Sequence, residues 1–274
     1  MTKLSIIVLC IVILVATAPT ALLAAPAQLS TTTKSALEKV ISKADAKTGS
    51  SLRSEYSSLL QSQKLDQEWD RKIKARHDQN EADLVNLRKQ IRLIDADKLN
   101  KLEAQLKQTK ERYKPLFDRY TSLNKQIKAA RLFNNKELNS ILRTQADIMK
   151  IAVQLAREDV RSKEDLFKKA KDNKAKKVKQ LRALLADIEP MKKKIKAERS
   201  RMNKSKQRFA LEWKSFNTSI KKGNAKSVLN ALTSLVVTAN QINVYKQNLY
   251  AHEQTIQQTL LDVKNLMSRL SPSI

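Results

Sequence analysis

Residues Val178–Ile220 read VKQLRALLADIEPMKKKIKAERSRMNKSKQRFALEWKSFNTSI, and this stretch decides the fold. Two interleaved series of positions recur in it every seven residues. The first series is apolar throughout: Leu181, Ile188, Ile195, Met202, Phe209 and Phe216. The second series is apolar at its ends and basic in its middle: Val178, Leu185, Lys192, Arg199, Lys206, Trp213 and Ile220. This 3-4 spacing is typical of a long helix that packs along its length on other helices.

The same spacing continues through most of the chain, which has only 2 Gly and 5 Pro among its 274 residues. We therefore predict an all-α protein, an elongated antiparallel coiled coil or three-helix bundle with a projecting two-helix stalk. The predicted divisions are a signal peptide at 1–27, a short N-terminal helix or tail at 28–49, bundle helix 1 at 50–94, the stalk at 95–174, the basic bundle helix 2 at 175–222, and bundle helix 3 at 223–274.

Particular residues mark the predicted turns and seams. Asn134-Asn135 is the predicted turn of the stalk, because Asn tolerates the left-handed conformation and also caps helices. Gly223 is the predicted turn between the last two helices, and Pro115 and Pro190 are expected to kink theirs. The second stalk helix is expected to pack through an apolar seam: Leu138, Ile141, Ile148, Ala152, Leu155, Val160 and Leu166.

Folding the chain at these two turns brings the heptad series into register. Residues of helices 1 and 2 pair when their numbers sum to about 269, and residues of helices 2 and 3 pair near 445. In this register Arg199 lies beside Asp70, with Asp66 one turn away and Lys246 across the bundle. Lys192 lies beside His77 and Glu253. We interpret the polar positions of the seams as a register-setting core: Asp66, Asp70, His77, Lys192, Arg199, Lys206, Lys246 and Glu253.

The first 27 residues have the pattern of a secretory signal peptide. Lys3 precedes an apolar run, and Ala25-Pro26-Ala27 predicts cleavage after Ala27. The alternative is an uncleaved anchor. Cleavage predicts a secreted or cell-surface protein with no transmembrane segment, and its mature chain would carry no cysteine, because Cys10 is the only one. Just after the signal peptide, Ser35 and Glu38 form a sequence pattern typical of a helix start.

The mature chain offers few groups for catalysis. It has only two histidines, no glycine-rich phosphate loop and none of the common hydrolase, nucleotide-binding or metalloprotease motifs. We therefore predict a non-enzyme without a cofactor. A metal held by His77, His252 and Glu253 is the alternative for the polar core, but these residues lack ligand spacing, and we predict no metal site.

Positive charge is concentrated in one segment. Residues 168–222 contain 20 basic and 5 acidic residues, an excess that should attract anionic polymers. Expected partners are envelope polymers such as teichoic acids, anionic lipid headgroups or extracellular nucleic acid, the last without sequence-specific reading. The predicted binding residues are Lys168, Lys169, Lys171, Lys174, Lys176, Lys177, Lys193, Lys194, Lys196, Arg201, Lys204 and Arg208.

Three functions are compatible with these patterns. The first is an exported coiled-coil scaffold or adaptor of the cell envelope, which binds anionic polymers through its basic helix and possible protein partners through the stalk. The second is an extracytoplasmic holding chaperone, since periplasmic chaperones with helical-hairpin arms are similarly basic and exported. The third is a membrane-active helical protein, for which the apolar residues of 228–244 are the best support, although polar residues interrupt them.

Overall fold

The computed structural model describes residues 29–270, which form six α-helices and no strand. The helices are α1 (Thr31–Lys43), α2 (Ala46–Leu93), α3 (Ala96–Leu132), α4 (Lys136–Ala186), α5 (Ile188–Lys222) and α6 (Ala225–Leu270). The described chain divides into two compact units. Unit 1 contains residues 29–70 and 200–247, and unit 2 contains residues 71–199 and 248–270. The predicted all-α helical bundle is confirmed.

Unit 1 is built on an apolar core to which four helices contribute. α1 provides Leu37, Val40 and Ile41, and the N-terminal part of α2 adds Leu52 and Leu59. The remaining buried members come from α5 and α6: Phe216, Ile220, Val228, Leu232, Leu235, Val236 and Ala239. Much of the apolar run proposed for membrane contact therefore packs inside this core. Among residues 29–270, no helix carries an apolar stretch long enough to cross a membrane.

The short helix α1 begins earlier than the sequence pattern predicts. Ser30, rather than Ser35, is its N-cap, and the Ser30 hydroxyl accepts a hydrogen bond of 3.2 Å from the Thr33 backbone N–H. The expected break at Gly49 is also absent, because Asp45 caps a new helix four residues earlier. Gly49 lies inside α2, where an added Cβ would stand 3.2 Å from the Ile41 carbonyl oxygen. A glycine thus permits close approach of α1 here and does not end a helix.

In unit 2, the second helix of the predicted stalk continues beyond its expected end. α4 runs without a break from Lys136 to Ala186, so the expected boundary between 174 and 175 lies in mid-helix. The interruption occurs instead at Asp187. Pro190 follows in the first turn of α5, where a missing backbone N–H costs no helical hydrogen bond. The alanines and lysines at 168–177 are good helix formers, which explains why the stretch without large apolar residues remains helical.

α3 and α4 form an antiparallel hairpin. Asn134 at its turn adopts the left-handed conformation, with φ of 54°, and Asn135 caps α4 by accepting a 3.0 Å hydrogen bond from the Leu138 N–H. Ion pairs join the two helices further along, between Lys110 and Glu164 and between Arg112 and Asp159. Pro115 lies within α3.

The hairpin packs through a different face of α4 from the predicted one. Its core near the turn contains Leu123, Ala130, Leu142 and Ala146. The predicted seam is largely solvent-exposed: Leu138, Ile141, Ile148, Leu155 and Leu166 all lie on the surface, as does Ile151. The prediction was wrong because α4 carries two interleaved apolar series, and the one containing small alanines lets the helices approach more closely.

The join between α2 and α3 is also defined by a left-handed residue. Asp95 has φ of 53°, and its carboxylate forms an ion pair with the Lys177 ammonium of α4, at an N–O distance of 2.8 Å.

The predicted signal peptide at 1–27 lies outside the described residues.

Candidate functional site

Unit 1 contains a buried lysine held by two carboxylates. The side chain of Lys246 on α6 is 0% exposed, and its Nζ lies 2.5 Å from Asp66 Oδ1 and 2.7 Å from Asp70 Oδ1. The ammonium also donates a 3.0 Å hydrogen bond to the Asp66 backbone carbonyl. The ammonium thus has two carboxylates as counter-charges and one backbone carbonyl as a hydrogen-bond acceptor. The arrangement compensates the charge of Lys246 where solvent cannot.

A second polar contact lies beside this lysine, and it was not predicted. The Ser62 hydroxyl donates a 2.6 Å hydrogen bond to the side-chain oxygen of Asn240. The buried Asn243 amide donates a 3.0 Å hydrogen bond to the Ser62 backbone carbonyl. Asn and Ser are common on exposed helix faces, so only their position relative to the apolar seam could have indicated burial.

Unit 2 contains a buried carboxylate on α6, Glu253, which is 1% exposed. His77 Nδ1 lies 2.8 Å from Glu253 Oε1, and the Asn80 amide donates hydrogen bonds of 2.8 Å to both Oε2 and the backbone carbonyl of Glu253. Asn80 is itself buried. Both carboxylate oxygens of Glu253 therefore have a partner, as a buried anion requires.

These contacts shift the pKa values of both groups. The hydrogen bond to Glu253 raises the pKa of His77 above its ordinary value of 6.5, against the opposing effect of burial. Burial by itself would raise the pKa of Glu253, but the hydrogen bonds from His77 and Asn80 outweigh it and hold that pKa below 4.5. The imidazolium and the carboxylate stabilise each other's charged forms.

A cavity of about 230 Å³ opens beside this pair. It is lined by His77, Glu81, Lys192, Ile195, Lys196, Arg199, Glu253 and Ile256. Lys192 Nζ lies 2.7 Å from Glu81 Oε1, so this cation already has a counter-charge. The lining thus includes two contacting acid–base pairs, His77 with Glu253 and Lys192 with Glu81.

The eight predicted polar core residues divide by burial. Lys246 and Glu253 are buried, and Asp66, Asp70, His77 and Lys192 are partly buried. Arg199 and Lys206 are exposed, which corrects their assignment to the core. Lys246, which the sequence placed only across the bundle from Asp70, contacts both Asp66 and Asp70 directly.

The basic segment of α4 forms a continuous charged surface. Between Lys168 and Arg182 there are eight basic residues and one acidic residue, Asp172. Six of the eight are exposed, on the side of α4 away from the buried Ala170 and Leu181. We call these six the basic face of α4: Lys168, Lys169, Lys171, Lys176, Lys179 and Arg182. Lys179 and Arg182 were not among the predicted binding residues.

The other predicted binding residues lie in different surroundings. Lys177 forms the partly buried ion pair with Asp95, and Lys174 is half-buried. Arg208 Nε lies 2.8 Å from Glu212 Oε1 in unit 1. The remaining five are exposed on α5, three in unit 2 and two in unit 1: Lys193, Lys194, Lys196, Arg201 and Lys204.

Among residues 29–270, no three His, Cys, Asp or Glu side chains lie close enough together to share a metal ion. His252 is half-exposed, while its neighbour Glu253 bonds to His77. No protein-family model, curated protein or solved structure matches the chain. The charge and geometry of the surfaces described above are therefore the basis for a functional assignment.

Proposed function

We propose that the protein is an exported, non-enzymatic helical scaffold that binds an anionic envelope polymer through the basic face of α4. The supporting observation is the unbroken course of α4 from Lys136 to Ala186, which holds the basic face on one rigid segment. A mobile linker at 168–177 would have no fixed charge spacing, whereas a helix has one.

The dimensions of this segment suit a polyanion. Residues 168–182 span about 21 Å at the helical rise of 1.5 Å per residue. The six cations of the basic face over this length correspond to one positive charge every ~3.5 Å, a density comparable with that of phosphates along a nucleic-acid strand. A polymer with one phosphate per repeat, such as a poly(glycerol phosphate), would release several counterions on binding.

The test is the salt dependence of binding to poly(glycerol phosphate), measured with the mature chain by titration at increasing NaCl. The quadruple variant Lys168→Gln, Lys169→Gln, Lys176→Gln and Lys179→Gln removes four charges from the face. It should lower the log–log slope by about 3, on the basis of roughly 0.7 per neutralised phosphate of a single chain. Helical content and melting temperature should change little, because all four side chains are exposed.

A matched control removes four exposed cations from the neighbouring helix α3: Lys101→Gln, Lys107→Gln, Lys114→Gln and Arg119→Gln. This control has the same net charge as the test variant. If both variants reduce the slope equally, net charge and not the basic face of α4 determines binding, and the proposal is wrong.

A second candidate function is the holding of unfolded proteins. The exposed apolar face of α4 favours it, since Ile148 is 71% exposed and Ile141, Ile151 and Leu155 are also on the surface. A large exposed apolar face commonly marks an interaction site. Suppression of aggregation of a chemically unfolded protein would test it, and the Ile148→Ser, Ile151→Ser variant should lose that activity while retaining polymer binding.

A further inference from the structure

The tip of the α3–α4 hairpin exposes two large apolar side chains. Leu132 is 82% and Phe133 is 84% exposed. They lie at the C-terminal end of α3. The first turns of α4 add Leu138 and Ile141, which are also on the surface. None of these four residues belongs to the basic face of α4 or contributes to the buried core of the hairpin.

The turn that carries these side chains is ordered by hydrogen bonds. The Phe133 N–H donates to the Ala129 carbonyl at 3.1 Å, and the Asn135 N–H donates to the Ala130 carbonyl at 3.0 Å. The Asn139 amide crosses the hairpin and donates to the Ile127 carbonyl at 3.1 Å. These hydrogen bonds thus hold the backbone of Leu132 and Phe133 in place, although their exposed side chains bury no apolar area in the hairpin core.

A concave surface with three cations lies beside the two apolar side chains. The cavity has a volume of about 460 Å³. Its lining consists of Ala130, Arg131, Asn134, Asn135, Lys136, Asn139, Ser140 and Arg143, with no acidic residue among them. The sequence from Lys125 to Arg143 has five basic residues and one acidic residue, Glu137, a net charge of +4.

Apolar side chains next to cations and amide donors match one kind of partner. A soluble polyanion would be bound by the cations, but it has no apolar surface to pack against the exposed Leu132 and Phe133. An unfolded protein would be bound by the apolar side chains but does not require a cavity lined by Arg131, Lys136 and Arg143. An anionic phospholipid surface presents phosphates above an apolar layer, and it matches both features at once.

We propose that the hairpin tip docks on an anionic phospholipid bilayer. Leu132 and Phe133 enter the boundary between headgroups and acyl chains, and Arg131, Lys136 and Arg143 bind lipid phosphate. Two inserted side chains give reversible attachment that depends on anionic lipid. This site is separate from the basic face of α4, and its test does not depend on polymer binding.

The test uses the mature chain and vesicles of equal parts phosphatidylcholine and phosphatidylglycerol, with pure phosphatidylcholine for comparison. Co-sedimentation measures the partition coefficient. Leu132→Ser with Phe133→Ser should lower the coefficient about tenfold or more, because the apolar transfer is lost. Arg131→Gln, Lys136→Gln and Arg143→Gln together should lower it for the mixed vesicles but leave the weak binding to phosphatidylcholine unchanged.

Two matched controls separate the tip from general effects. Val85→Ser with Leu211→Ser removes two other exposed apolar side chains and should not change partitioning. Lys168→Gln, Lys169→Gln and Lys171→Gln remove three cations from the basic face and should weaken polymer binding much more than vesicle binding. Circular dichroism should show the same helical content for every variant.

A polarity-sensitive fluorophore on Phe133→Cys reports insertion directly, since the mature chain has no other cysteine. Its emission should shift to the blue with the mixed vesicles only. The proposal is overturned if the serine variant binds vesicles as well as the unmodified chain. It is equally overturned if that variant loses only the suppression of protein aggregation, since the tip would then bind unfolded protein.

Discussion

His77 Nδ1 on α2 lies 2.8 Å from Glu253 Oε1 on α6, although the two residues are 176 positions apart in the chain. The contact joins an imidazole that reaches solvent with a carboxylate that does not, their side chains being 39% and 1% exposed. It ties α2 to α6 within unit 2, and it shifts the pKa values of both side chains.

This pair should make stability depend on pH in a defined direction. The raised pKa of His77 adds stability that is fully present below 6.5 and is lost as pH rises through the folded-state value. The lowered pKa of Glu253 adds stability that is present above 4.5 and is lost as pH falls through its folded-state value. The contribution of the pair should therefore be greatest between 4.5 and 6.5.

Urea unfolding of the unmodified chain and of His77→Gln, measured through this range and above the His77 pKa, tests the effect. The difference in unfolding free energy should shrink as pH rises above the His77 pKa. Proton NMR gives that pKa directly, because the chain has only two histidines and His77→Gln assigns the signal. Glu253→Gln should return the pKa of His77 towards 6.5, and an unchanged titration would contradict the assigned hydrogen bond.

Loss of the two carboxylates around Lys246 should be strongly destabilising. Asp66→Asn with Asp70→Asn would leave a fully buried ammonium without a counter-charge, at a cost of about 3–5 kcal/mol. Adding Lys246→Met should recover a large part of the loss, because the charge that needed compensation is gone. Equilibrium denaturation measures both steps.

The control for this series is Asp118→Asn with Asp165→Asn, two exposed carboxylates whose loss should alter stability by less than about 1 kcal/mol. Simple additivity of the Lys246 and aspartate changes would show that the residues do not interact in solution.

Docking of α1 on unit 1 can be tested with one side chain. Leu37 is buried with Val40 and Ile41 in the core, so Leu37→Ala should cost about 2–4 kcal/mol. Leu60 on α2 is partly exposed, and Leu60→Ala should cost clearly less. Equal effects of the two changes would indicate that α1 does not pack on the unit in solution.

The turn of the hairpin should prefer particular residues at position 134. Asn134 has φ of 54°, a conformation that a β-branched side chain resists by about 1–2 kcal/mol. Asn134→Val should therefore lower the melting temperature, whereas Asn134→Gly should preserve or raise it. Equal melting temperatures for the two variants would show that the turn does not need the left-handed conformation.

Much of this architecture could be predicted from the chain alone. The 3-4 spacing of apolar residues requires helices that pack along their lengths, and the residue chemistry at Asn134 and Gly223 marks the two turns. Counting heptads from those turns also placed His77 in the layer of Glu253 and Asp70 in the layer of Lys246, and the structure brings both pairs together. The position of a residue in its heptad predicts the layer that it occupies, even when its partner lies far away along the chain.

The sequence could not distinguish between two sets of residues that recur at the same interval and could both pack against a neighbouring helix. In α4, the exposed Ile141, Ile148 and Leu155 recur every seven residues, and the buried Ala146 and Val153 are also seven residues apart. Only packing against α3 selects the second series for burial. Likewise, the sequence offered both Arg199 and Lys246 as partners of Asp70, and the lysine lies fully buried against it.

Spacing along the chain therefore determined that the protein is helical, where its main turns lie and which layers meet. Tertiary structure decided which face of each helix is covered, because burial depends on the size of the side chains opposite. For the same reason, only the structure shows that Leu132 and Phe133 at the hairpin tip face solvent next to Arg131, Lys136 and Arg143. A periodic pattern specifies a contact surface, and the neighbouring helix determines whether that surface is used.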